Sequence, residues 1–166
     1  MNRFMIVVNP DKDTDSTVTN RIQSYLEAHG AACMVRDVFH LESSDWEALK
    51  KEQFDCVLVL GGDGTLLRMA GETEDIDIPL FGINLGTVGF LTEGEVANIE
   101  EILDRLLTDD FTIEERMMVT GTVTKADGTT YRKSALNDIV ISRAGFSRLI
   151  GLNVSVDGQV LDTYEA

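Results

Sequence analysis

The chain has 166 residues, which fits one ordinary domain or one domain with a fragment of a second. Its 14 Lys and Arg residues against 29 Asp and Glu residues give a formal net charge of −15. This acidic balance argues against binding to nucleic acids or to anionic membranes, because such binding depends on Lys and Arg. An anionic ligand must instead be met by local dipoles, a metal ion or a few specific arginines.

The cysteines and the apolar runs indicate the cellular compartment of the protein. Cys33 and Cys56 are flanked by apolar residues, so we predict buried thiols and no metal site or disulfide framework. The N-terminus lacks the apolar region and cleavage site of a signal peptide. No apolar run approaches the roughly 20 residues of a membrane helix. We therefore expect a cytoplasmic protein.

The first hundred residues alternate strand and helix patterns. This βαβα order predicts an α/β fold with a doubly wound, Rossmann-like parallel sheet. We predict strands over residues 4–8, 31–35, 57–60 and 79–84. We predict helices between a Ser16 cap and Gly30, over 45–52, from residue 65 onward, and over 98–107.

The pattern becomes β-rich after about residue 114. Hairpins are predicted around Asp127-Gly128 and Asp157-Gly158, with a further strand over residues 136–142. We assign residues 1–114 to an α/β domain and residues 115–166 to the start of an incomplete β-rich domain. Because residues 160–166 still have a strand pattern, we expect a partner segment beyond them.

The strongest local motif is Gly61-Gly62-Asp63-Gly64-Thr65, which follows an apolar strand and precedes a helix. Ligands of open α/β sheets bind at the carboxyl ends of strands, near helix N-termini. Glycines allow close approach of the backbone and positive φ. The motif lacks the Lys of a Walker A loop and is not GxGxxG. Asp63 could hold Mg²⁺ against phosphates, accept a proton from an attacking hydroxyl, or cap the helix.

Two further motifs follow predicted strands. The loop at residues 81–93 contains Phe90, which could stack on a base or pack into the core. Asn137 and Asp138 open an apolar run, where they could bind the hydroxyls of a ribose or simply form a turn.

Together the three motifs resemble the NAD kinase family: Gly61-Gly62-Asp63-Gly64-Thr65, the loop around Gly82-Ile83-Asn84-Leu85-Gly86 with Gly89-Phe90-Leu91-Thr92-Glu93, and Leu136-Asn137-Asp138. The glycine motif alone is shared with lipid kinases and, more loosely, with phosphofructokinases. The other two are more specific.

The resemblance implies a kinase that transfers a phosphoryl group to the 2′-hydroxyl of NAD. Asp63 would be the general base, and Gly62 and Gly64 would contact the nucleotide through their backbones. The other binding residues implied are Phe90 near the adenine, Asn137 and Asp138 on the nicotinamide side, Arg68 near phosphate, and Arg148 at a position that contacts the nucleotide.

The resemblance also implies which small molecules the protein uses and how it assembles. The donor would be ATP or polyphosphate with Mg²⁺, no residue is assigned as a metal ligand, and the full-length protein would be a homodimer or homotetramer. The family continues past the segment resembling residues 161–166 into a Thr-Pro-Thr-Gly-Ser-Thr-rich stretch, so we expect this chain to be an inactive or weakly active fragment. A lipid kinase, suggested by Val8-Asn9-Pro10, and a noncatalytic module are the alternatives.

Overall fold

A computed structural model describes residues 1–86, 89–142 and 149–165. Its main element is a five-stranded parallel sheet in the order β2-β1-β3-β4-β5. The strands are β1 (Arg3–Val8), β2 (Ala32–Asp37), β3 (Cys56–Gly61), β4 (Leu80–Asn84) and β5 (Gly94–Glu95). The helices are α1 (Thr17–Ala28), α2 (Ser43–Lys51), α3 (Asp63–Glu72) and α4 (Ile99–Leu107). The predicted doubly wound α/β architecture is confirmed.

The sheet is buried on both faces, as the unbroken apolar run of β3 predicts. Alternate residues of β1 and β3 face opposite layers because side chains alternate along a strand. Phe4 and Leu58 belong to the cluster that holds the inner faces of α1 and α4. Met5 and Val59 belong to the cluster that holds α2 and α3. The carboxyl ends of the strands are thereby fixed by packing from two sides.

The strand order reverses direction next to β1. The chain runs from β1 to β2 on one side and then returns to pair β3 on the other side, with Met5 aligned to both Met34 and Val57. Such a switch point leaves a crevice at the carboxyl ends of the two central strands, where open α/β sheets bind ligands. β4 lies beyond β3, so its following loop reaches the same edge.

Helix α1 begins differently from the prediction. Ser16 occupies the N-cap position, but it has a left-handed φ of 57° and its side chain makes no capping hydrogen bond. The carboxylate of Asp13 accepts the amides of Val18 and Thr19 instead, at 3.1 and 2.8 Å. An ionised carboxylate is the stronger acceptor for these amides, so it replaces the serine hydroxyl.

Two other predicted helices start earlier than expected. α2 begins at Ser43 and α3 at Asp63. Asp63 is therefore the first residue of its helix, and Gly62 is the N-cap. This placement excludes the alternative in which the Asp63 side chain caps α3.

The β-rich part forms two antiparallel hairpins, β6 (Val119–Thr124) with β7 (Thr130–Ala135) and β8 (Gly151–Val156) with β9 (Gln159–Glu165). Both predicted turns are confirmed, with φ of 83° at Gly128 and 79° at Gly158. The predicted strand over residues 136–142 is wrong. No strand pairs with this segment among the described residues, and its apolar side chains Ile139, Val140 and Ile141 are exposed.

Burial of the thiols is confirmed fully at one position and partly at the other. Cys56 is buried in β3, and desolvation raises the pKa of its thiol to about 12. Cys33 is only half-buried, and desolvation raises its pKa to about 11. Within the ranges that the structure describes, no helix is long and apolar enough to cross a membrane.

Candidate functional site

The glycine motif forms the turn from β3 into α3 at the switch point of the sheet. A Cβ on Gly61 would lie 2.7 Å from the Cβ of Thr65, so only glycine leaves room for the helix to fold back. A Cβ on Gly62 or Gly64 would have no atom within 4 Å, and the backbones of both glycines are accessible to a ligand. None of the three adopts positive φ. The prediction of positive φ is therefore wrong for these glycines. Residue 61 must be glycine because it packs closely against Thr65.

The carboxylate of Asp63 contacts the loop that follows β4. It accepts hydrogen bonds from the amides of Phe90, Leu91 and Thr92 at 2.7, 3.1 and 3.2 Å, and from the Thr92 hydroxyl at 3.3 Å. The amide of Phe90 is the largest of the contributions that lower the pKa of Asp63. The carboxylate is thus held ionised at the end of β3.

The loop that follows β4, which we call the second loop, is shaped around this carboxylate. A Cβ on Gly89 would lie 2.6 Å from the carboxyl carbon of Asp63, so any larger residue here must displace the carboxylate. The ring of the next residue, Phe90, is fully exposed. Packing of Phe90 into the core is excluded, and its role in stacking on a base stays a prediction.

A cavity of about 280 Å³ borders the glycine turn. Its walls come from the segments that follow β1 and β2 and from the start of α3. The residues that line it are Asn9, Lys12, Val38, Phe39, Gly62, Gly64, Thr65 and Arg68. It therefore combines accessible glycine backbone, the amino end of a helix and two cationic side chains.

The two cations of this cavity form no salt bridge within the described part of the chain. The guanidinium of Arg68 lies 5.7 Å from the centroid of the Phe39 ring, a cation–π contact. The ammonium of Lys12 lies 3.6 Å from the position of a Cβ on Gly86, at the start of the second loop. Arg68 is also near enough to the carboxylate of Asp37 to lower its pKa, but neither cation of the cavity is held in an ion pair by a described residue.

Asn9 connects β1 to the glycine turn. Its backbone amide donates to the carbonyl of Leu60 at 2.8 Å, and its side-chain amide lies 3.5 Å from the hydroxyl of Thr65. The wall of the cavity is therefore tied to the helix that begins at Asp63.

The structure brings together only some of the predicted site residues. Gly62, Gly64 and Arg68 line the cavity, and Asp63 lies at the adjoining turn. Asn137 and Asp138 lie in the exposed segment after β7. Among the residues that the structure describes, neither makes a hydrogen bond or an ion pair. Arg148 lies outside the described residues.

Sequence reasoning missed the cavity walls and the partner of the carboxylate. Asn9 and Lys12 follow β1, and Phe39 follows β2, at the same edge of the sheet as the glycine turn, so the parallel sheet predicted from the sequence could have indicated them. The contact of Thr92 with Asp63 had no local signal, because 29 positions separate them.

The described residues form no protein metal site. No group of three or more His, Cys, Asp or Glu side chains in residues 1–86, 89–142 and 149–165 is arranged to hold a metal ion.

Comparison with known proteins places this site in a family. Residues 4–111 match the family model of the ATP-NAD kinase N-terminal domain. NAD kinase from Lachnoclostridium phytofermentans is 40% identical over 168 residues, covering 99% of this chain and 59% of that protein. NAD kinase from Lachnospira eligens is 39% identical over 171 residues, covering 100% and 58%.

A solved structure shares the fold. The crystal structure of yeast NADH kinase complexed with NADH matches with a TM-score of 0.76 at 18% identity, covering 100% of this chain and 55% of that chain. This chain spans somewhat less than two thirds of the length of the two bacterial relatives. The family model and these relatives show that the chain belongs to the NAD kinase family.

Proposed function

We propose that the protein to which this chain belongs transfers a phosphoryl group to the 2′-hydroxyl of the adenosine ribose of NAD, giving NADP. The observation that carries the proposal is the ionised carboxylate of Asp63 between two accessible surfaces, the cation-lined cavity and the exposed loop at Phe90. A donor phosphate and an acceptor hydroxyl can meet at such a carboxylate. The names of the bacterial relatives support the choice of NAD as acceptor.

Asp63 acts as the general base in this proposal. The 2′-oxygen attacks the terminal phosphorus of the donor, the bond from that phosphorus to its bridging oxygen breaks, and the ribose proton passes to the carboxylate. Asp63 is ionised and fixed by four hydrogen bonds before substrate arrives. Positioning of the two substrates supplies most of the acceleration.

The cavity receives the phosphates of the donor, ATP or polyphosphate. Lys12 and Arg68 supply positive charge, and the first residues of α3 line the same space, where a helix amino end favours an anion. Mg²⁺ carried by the donor phosphates would neutralise part of their charge there. Phe39 offers an aromatic wall beside the phosphates.

The acceptor contacts the second loop and the β-rich part. Phe90 lies against the adenine, Asn137 and Asp138 bind the nicotinamide side, and Arg148 contacts the nucleotide. The exposure of Phe90, Asn137 and Asp138 leaves these side chains accessible to such a ligand. Residues 1–114 and 115–166 act as parts of two domains, and the full-length cytoplasmic protein assembles as a dimer or tetramer. This chain alone is inactive or weakly active.

Replacement of Asp63 by Asn tests the proposal in the full-length protein. NADP formation from NAD and ATP should fall by about 10²–10⁴-fold, the usual contribution of a general base. The matched control is Asp127→Asn in the β6–β7 turn, whose carboxylate also accepts a backbone amide, from Thr129. It should retain wild-type activity. Unchanged NADP formation by Asp63→Asn, or phosphorylation of lipid in preference to NAD, would contradict the proposal.

A further inference from the structure

The two oxygens of the Asp63 carboxylate have different surroundings. Among the described residues, Oδ1 accepts the amides of Leu91 and Thr92 and the hydroxyl of Thr92, whereas Oδ2 accepts only the amide of Phe90. A carboxylate oxygen has about two lone-pair positions. Oδ1 is therefore fully engaged, and Oδ2 retains an unused acceptor position.

The hydroxyl of Thr92 is directed toward Asp63 by packing on its other side. Thr92 is 8% exposed, and a Cβ on Gly82 of β4 would lie 2.9 Å from its methyl carbon. With the methyl group against β4, the hydroxyl faces the carboxylate. The absence of a side chain at Gly82 makes room for this arrangement.

We propose that Thr92 is a positioning residue that anchors Oδ1 of Asp63, so that Oδ2 is the oxygen that accepts the ribose proton. The proposal rests on the proposed NAD phosphorylation. The ribose O–H bond breaks as the new O–P bond forms, and the proton ends on Oδ2 before release to solvent. Thr92 contacts neither substrate and acts only through the orientation of the carboxylate.

The kinetic test compares Thr92→Val with Thr92→Ser in the full-length protein. Valine has the shape of threonine without the hydroxyl, so kcat should fall by about tenfold while KM for NAD stays within about twofold. Serine keeps the hydroxyl and should retain most of the wild-type kcat. Equal losses in both variants would show that methyl packing matters, and that result would overturn the proposal, as would an unchanged kcat in Thr92→Val.

Thr73→Val is the matched control. Thr73 is also a buried threonine, and its hydroxyl donates to the carbonyl of Met69 at 2.9 Å at the far end of α3. Its kcat should be unchanged, and a loss equal to that of Thr92→Val would count against positioning. If Thr92→Val does not fold, Gly89→Ala replaces it, because the added Cβ must displace the Asp63 carboxylate and kcat should again fall at nearly constant KM.

Hydrogen exchange tests the anchor independently of activity. In this chain, Asp63→Ala should raise the exchange rates of the amides of residues 90–92 by at least about tenfold, since their common acceptor is lost. Unchanged rates would overturn the anchor itself. If the rates rise but the wild-type full-length protein makes no NADP, the proposed function fails and the catalytic role of Thr92 fails with it.

Discussion

Replacement of Gly61 by alanine should destabilise the fold without touching a ligand. The added Cβ would lie 2.7 Å from the Cβ of Thr65, which is attached to the backbone of α3, so no change of rotamer relieves the overlap. The helix must shift against β3 and β4. Overpacking of this kind costs about 1–3 kcal/mol. For a chain of this length, each kcal/mol lowers Tm by about 2–4 °C.

Urea unfolding followed by far-ultraviolet circular dichroism measures the effect. Gly62→Ala and Gly64→Ala are the matched controls, because no atom lies within 4 Å of a Cβ at either position. Their unfolding free energies should stay within about 1 kcal/mol of wild type. In the full-length protein, these two should weaken donor binding instead. A Gly61→Ala midpoint equal to that of Gly64→Ala would refute the packing argument.

Three further outcomes are expected. Lys12→Ala should raise KM for the donor by about fivefold, equivalent to the roughly 1 kcal/mol of one solvated charge pair at 4 Å. Lys50→Ala on α2 should leave this KM unchanged in the same steady-state assay. The hydrogen bonds to Asp63 lower its pKa, so the base stays ionised as pH falls to about 3.9, the ordinary Asp value. The acid limb of the pH profile of kcat/KM should therefore lie below that pH. An acid limb above it would contradict the assignment of Asp63 as the base. The raised thiol pKa values of Cys33 and Cys56, about 11 and about 12, should slow modification relative to the urea-unfolded chain by about a hundredfold at Cys33 and about a thousandfold at Cys56, and rapid labelling of the native chain would contradict this.

The sequence predicted the α/β part well because each of its signals is local. The apolar run ending at Leu60 is buried on both faces, and the glycines that follow it mark the turn into α3. The two Asp-Gly turns are also local, since φ of 83° at Gly128 and 79° at Gly158 depends on the residue itself. These features need no knowledge of a distant partner.

The failures concern interactions that composition and periodicity do not encode, most of them between distant parts of the chain. Residues 136–142 have a β-rich composition, but a strand also requires a hydrogen-bonded neighbour, and none pairs with them among the described residues. The choice of Asp13 over Ser16 at the start of α1 depends on how the preceding loop turns. The hydrogen bond from Thr92 to Asp63 depends on the adjacency of β3 and β4. Composition and periodicity contain none of this information.

The positions of the cationic side chains explain how an acidic protein can bind an anionic ligand. Arg21 is held by Glu100, and Arg36 by Asp45, so these charges are neutralised within the chain. Lys12 and Arg68 form no such ion pair with any described residue, and both line one cavity at a helix amino end. Salt screens charges beyond about 8–10 Å, so a bound phosphate responds to these near groups far more than to the net charge. A protein with a repulsive overall field can thus bind a nucleotide at one edge of its sheet.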